Sequence, residues 1–143
     1  IVVGMVPVME NTTVLTVSEN GQGRRTDPAE YRLQSRGGKG IKNYDTQKNG
    51  SVAGVLAVGE EDDVILISDD GIIIRIPVAE ISTQSRYAGG VRVMRIGEGS
   101  RLVSLCRAPH EDEEEAAAES EAPAEAETPA EETADSTGTP VEE

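Results

Sequence analysis

The residues best suited to chemistry form one short run, Gln34-Ser35-Arg36-Gly37-Gly38-Lys39-Gly40. Arg36 and Lys39 supply positive charge, and Gly37, Gly38 and Gly40 let backbone amides approach an anion with no Cβ in the way. That combination suits contact with phosphate. A Walker A loop is excluded, because Lys39 is followed by Gly40 instead of Ser or Thr and the earlier glycine is missing. A dinucleotide fingerprint is excluded too, since neither G-x-G-x-x-G nor a βαβ pattern surrounds the run. The competing reading is a solvated glycine turn. Arg24, Arg25, Arg32, Lys42 and Lys48, clustered around Arg36 and Lys39, weigh against it.

Nothing else in the sequence assembles a reaction centre. Glu60-Glu61-Asp62-Asp63 lacks the spacing of a calcium loop and reads as a solvated turn. His110, the only histidine, has no evident partner. Cys106, the only cysteine, permits no internal disulfide, and its apolar neighbours predict a buried structural thiol in a reducing compartment. No Ser-His-Asp, Cys-His or zinc pattern exists, so no catalytic residue and no metal ligand is assigned. Tyr31, Tyr44 and Tyr87 are too few for the stacking platforms of single-strand binders. No run is long and apolar enough for a transmembrane helix.

The loop belongs to a repeat. At an offset of 50 the sequence matches itself without a gap at Val2/Val52, Gly4/Gly54, Val8/Val58, Glu10/Glu60, Val14/Val64, Ser18/Ser68 and Gly21/Gly71. The register continues through Arg25/Arg75, Ala29/Ala79, Glu30/Glu80, Gln34/Gln84, Ser35/Ser85, Arg36/Arg86 and Gly40/Gly90. A period near 50 with several strands in each copy predicts propeller-like blades that must stack to bury their faces. β-Branched runs place strands at 1–8, 12–18, 22–26 and 41–44 in the first copy. They place strands at 52–58, 64–68, 72–76, 91–96 and 101–107 in the second. Asn20-Gly21 and Asp70-Gly71 supply the tight hairpin turns. The continuous apolar runs predict strands covered on both faces. The fold class is all-β, with blade repeats at 1–50 and 51–110. The chain starts at Ile1, inside a strand-like run, and reads as a C-terminal piece of a longer protein.

Charge is segregated along the chain. All 13 Lys and Arg lie at or before Arg107, whereas 14 of the 27 Asp and Glu lie in residues 111–143. Positive charge collects around the glycine loop and around its second copy, the footprint of a polyanion track. Residues 111–143, built of Glu, Ala, Pro, Ser and Thr, predict a disordered acidic tail.

The heptapeptide is similar to Gln-Arg-Arg-Gly-Gly-Lys-Gly, the signature of the C-terminal domain of DNA gyrase A subunits. The Asn-Gly–Arg-Arg-Thr–Glu-Tyr run, the Asp-Gly–Arg–Glu-Ile-Ser run and the acidic tail resemble the end of that domain. Ser35 departs from the signature. The family's defining box lies in its first blade, so this loop would be a degenerate sister of it. The resemblance implies a β-pinwheel of four-stranded blades that exchange strands and wrap double-stranded DNA. It implies membership of a type II topoisomerase that introduces negative supercoils. Its partners would be the gyrase B subunit plus the rest of the A subunit, in an A2B2 assembly. The resemblance also implies a bacterial cytoplasmic, nucleoid-associated setting. ATP and Mg²⁺ would serve the holoenzyme, with no cofactor in this piece. The candidate DNA-contacting set is Arg24, Arg25, Gln34, Arg36, Gly37, Gly38, Lys39, Gly40, Lys42, Arg86 and Arg92. Two alternatives stand: the topoisomerase IV A-subunit domain, and a non-enzymatic propeller scaffold that binds proteins.

Overall fold

A computed structural model describes residues 1–110; the predicted disordered tail, 111–143, lies outside the described residues. The first hairpin joins β1 (Thr13–Ser18) to β2 (Gln22–Thr26). Its turn needs Gly21, whose φ is +74° and where a Cβ would stand 2.2 Å from the Met94 carbonyl oxygen. A 3-10 turn at Pro28–Glu30 follows, capped by the Asp27 carboxylate on the Ala29 amide. The exposed glycine loop comes next, then the one-turn helix α1 (Thr46–Asn49). The second copy contributes β3 (Val52–Val58), β4 (Asp62–Ser68), β5 (Ile73–Pro77), β6 (Val91–Arg92) and β7 (Leu102–Pro109).

The strands form two antiparallel sheets, ordered β3-β1-β2-β6 and β5-β4-β7. The second copy therefore completes the sheet of the first: β3 pairs with β1, and β6 pairs with β2 through Gln22↔Arg92 and Gly23↔Val91. Strand exchange between copies is thus visible in the register. Even the irregularities repeat. A bulge falls between Val17 and Ser18 in one sheet and between Ile67 and Ser68 in the other. In both, the serine hydroxyl donates to the carbonyl four residues on, that of Gln22 or Ile72.

The core runs through both sheets. Leu15, Val17 and Val58 from the first meet Val64, Leu66 and Leu102 from the second, with Val78, Ile81 and Met94 from the connections. Burying each such side chain contributes about 1.5–3 kcal/mol. Leu105 of β7 reaches so close to Gly54 of β3 that a Cβ there would lie 2.3 Å from its Cδ2.

Several expectations need correction. Residues 1–8 and 41–44 are not strands. Their second-copy counterparts, β3 and β6, are strands because each lies along the β1–β2 hairpin; among the described residues no equivalent hairpin faces 1–8 or 41–44. β6 ends at Arg92, and the second sheet has three strands. Coverage on both faces also fails there. Val64 and Leu66 are buried, whereas Ile73 and Val103 on the same sheet are exposed. Cys106 is exposed on the edge strand β7, opposite Ile65, and is not a buried thiol.

Candidate nucleic-acid interface

The loop from Gln34 to Gly40 is exposed at every residue. Gly37 and Gly40 have φ of +80° and +76°, which a side chain would strain, yet nothing lies within 4 Å of either Cβ position. The glycines therefore set backbone direction, with no packing demand on them. Gln34 folds its amide oxygen back towards Gly38. Neither Arg36 nor Lys39 enters an ion pair among the described residues. Among the described residues their charge faces solvent, as a phosphate contact requires.

Arg24 and Arg25 leave the candidate set, because both faces of β2 are covered where these neighbours point and they are 2% and 4% exposed. Arg24 donates to the carbonyls of Ala88 (2.6 Å) and Asn43 and to the Thr26 hydroxyl, with its guanidinium over the Tyr44 ring. Arg25 donates to the Val78 carbonyl and the Thr83 hydroxyl and pairs with Glu60 at 2.8 Å. These charges tie the two copies together. The acidic run is structural for the same reason. Glu60 answers Arg25, and the buried Asp63 accepts from Arg75 at 2.6 Å. His110 also has a partner, its Nδ1 lying 2.7 Å from Asp63. Burial pushes the Asp63 carboxyl up, but contacts with His110 and Arg75 outweigh this and hold it below the ordinary value.

The second-copy loop differs from the first. Arg86 donates to the Lys42 carbonyl and, at 2.7 Å, to the Tyr87 hydroxyl, and it lies 4.5 Å from the centroid of the Tyr87 ring. It fastens its loop to segment 41–44 and does not project as Arg36 does. Lys42 pairs with Asp45 at 3.3 Å on the surface, a contact worth little in water. Arg92 is exposed on the edge strand β6, beside Arg95 and Lys48, two cations outside the sequence-derived set. Among the described residues no group of three or more His, Cys, Asp and Glu is placed to hold a metal ion. No described helix is long and apolar enough to cross a membrane.

Two antiparallel sheets that exchange strands across a 50-residue repeat, with a cationic glycine loop at the surface, define a propeller-type repeat domain. The chain belongs to the DNA gyrase C-terminal domain, beta-propeller family, whose model matches residues 12–58 and 62–105. It is 43% identical over 101 residues to the DNA gyrase A subunit of Staphylococcus epidermidis, covering 70% of this chain and 11% of that protein. Against the DNA gyrase A subunit of Staphylococcus aureus the identity is 42% over 103 residues, covering 71% and 12%. The chain thus spans about a tenth of the length of the curated relatives it matches. A solved DNA gyrase A C-terminal domain superposes with a TM-score of 0.64 at 33% identity, over 70% of this chain and 34% of that one. The C-terminal domain of DNA topoisomerase IV gives 0.65 at 19% identity, over 80% and 36%, a likeness of fold alone.

Proposed function

We propose that this chain is part of the DNA-wrapping domain of a gyrase A subunit, with blade repeats at 1–50 and 51–110, and that Arg36 and Lys39 contact the phosphates of bent duplex DNA. The observation behind the reading is the exposed loop of residues 34–40, with two cations that enter no ion pair among the described residues, beside the positive-φ Gly37 and Gly40. Phosphate contacts carry no base information, so binding is largely independent of sequence. Bending 20–30 bp by 40–90° costs on the order of 1–6 kcal/mol, which several such loops acting together offset. In this reading the wrapped segment is presented to strand-passage machinery elsewhere in an A2B2 holoenzyme in the bacterial cytoplasm. ATP and Mg²⁺ act there, and this chain's residues bind and orient DNA.

The test is Arg36→Ala with Lys39→Ala in the full-length protein, within its holoenzyme. Two lost phosphate contacts lower the slope of log affinity against log salt by about 2. Supercoiling falls further than DNA cleavage or relaxation. An unchanged slope with wild-type supercoiling would reduce the loop to a turn, and DNA affinity indifferent to salt would favour a protein-binding scaffold.

A further inference from the structure

We propose that the phosphate contact of the second repeat is made by Lys48, Arg92 and Arg95, in a cleft beside its glycine loop that takes the phosphodiester backbone of DNA. The inference rests on the DNA reading above and moves the contact away from Arg86.

The two loops share Gln-Ser-Arg, yet their arginines do different work. Arg36 is exposed and enters no ion pair among the described residues, whereas Arg86 engages both terminal nitrogens with this chain's own groups, the Lys42 carbonyl and the Tyr87 hydroxyl. The second loop also lacks the lysine of the first, since Gly89 stands fifty residues after Lys39. Its cationic function must then reside elsewhere or be absent. At the far end of that loop, Gly89 and Gly90 form one wall of a cleft of about 720 Å³. Asn20 and Gln22 of the first hairpin, Lys48 and Asn49 of α1, Arg92 of β6, and Arg95 complete it with Ile96.

The lining holds three cations and no carboxylate. All three are exposed, and none enters an ion pair among the described residues. Three like charges brought together without a counter-charge raise the potential of a concave surface, where field lines concentrate. The walls are fixed by bonds that span the repeat. The Asn49 amide donates to the Gly89 carbonyl at 3.3 Å, and the β2–β6 register sets Arg92 beside Gln22. Gly90 has φ of +85° and no room for a side chain, since a Cβ would lie 2.6 Å from the Gly23 carbonyl oxygen. Neutral amides of Asn20, Gln22 and Asn49 add donors. Cations set on α1, on β6 and in the segment just after it, around an open cleft, suit successive phosphates of a strand better than one enclosed anion.

The experiment measures the salt dependence of affinity for mixed-sequence duplex DNA, using the full-length protein. Lys48→Ala, Arg92→Ala and Arg95→Ala together are expected to lower the log–log slope by about 3. The charge-preserving triple, Lys48→Arg, Arg92→Lys and Arg95→Lys, is expected to keep it. The three side chains are exposed, so both proteins fold. If the alanine triple keeps the wild-type slope while Arg36→Ala with Lys39→Ala lowers it, the cleft proposal is overturned and the DNA reading stands. If neither set changes the slope, both fall.

Discussion

At the scale of single residues, burial decides which charges act outward and which act inward. Arg24 and Arg36 are chemically the same side chain twelve residues apart. One is sealed into carbonyl contacts, and the other is exposed and enters no ion pair among the described residues. Their distinction was not legible in the sequence, because charge clustering along a chain says nothing about which face of a strand each residue occupies. Alternation along β2 gave no signal either, since Arg24 and Arg25 are neighbours with different surroundings and are both buried. Asp63 offers a test at this scale. Its folded value is depressed by His110 and Arg75 against the opposing effect of burial. The stability it contributes is therefore fully present above its ordinary value of 3.8 and is lost as pH falls through the lower folded value. In thermal melts the Asp63→Asn protein should be less stable than wild type at neutral pH. Below about pH 4 its melting temperature should fall less steeply than that of wild type. Parallel curves would show that the carboxylate contributes nothing on folding.

At the scale of elements, the sequence repeat was read correctly where both partners of a pairing lie in this chain. The β1–β2 and β4–β5 hairpins, their glycine turns and β3 all stand close to their expected bounds. Residues 1–8 and 41–44 share the β-branched composition of strands but, among the described residues, have no hairpin beside them such as makes strands of β3 and β6. Composition fixes what a segment is able to pair with, and pairing also needs an edge. The same logic separates the glycines. Gly37→Ala places a methyl group in open space, at a cost of about 1–2 kcal/mol of local left-handed strain. Gly90→Ala adds the same strain and also drives that methyl into the Gly23 carbonyl, which should prise β6 from β2. Hydrogen exchange reads the difference at the Gln84 amide, bonded to the Arg25 carbonyl, and at the Val93 amide, bonded to Gly21. Both should exchange faster in Gly90→Ala and remain protected in Gly37→Ala. Protection in both variants would mean that the second loop tolerates displacement without releasing the strand.

At the scale of the whole molecule, electrostatics sets two opposing charges on one chain. Residues 1–110 are balanced overall but gather their cations around the two glycine loops, while residues 111–143 carry 14 carboxylates and no Lys or Arg. A polyanion joined covalently to a cationic surface lowers the potential of that surface at any separation within the Debye length. That length is about 30 Å at 0.01 M salt and about 8 Å at 0.15 M. The consequence follows from charge alone and needs no defined contact. Deleting residues 111–143 from the full-length protein should tighten duplex binding several-fold at 0.01 M. The advantage should shrink steadily as salt approaches 0.15 M. Mixed-sequence DNA serves as ligand for both proteins across that range, and Arg36→Ala with Lys39→Ala is combined with the deletion as a control. Removing the loop cations should reduce the gain, since the tail then has less potential to oppose. Equal affinities of the intact and shortened proteins at the lowest salt would show that the 14 carboxylates exert no field on the proposed DNA-contacting loops.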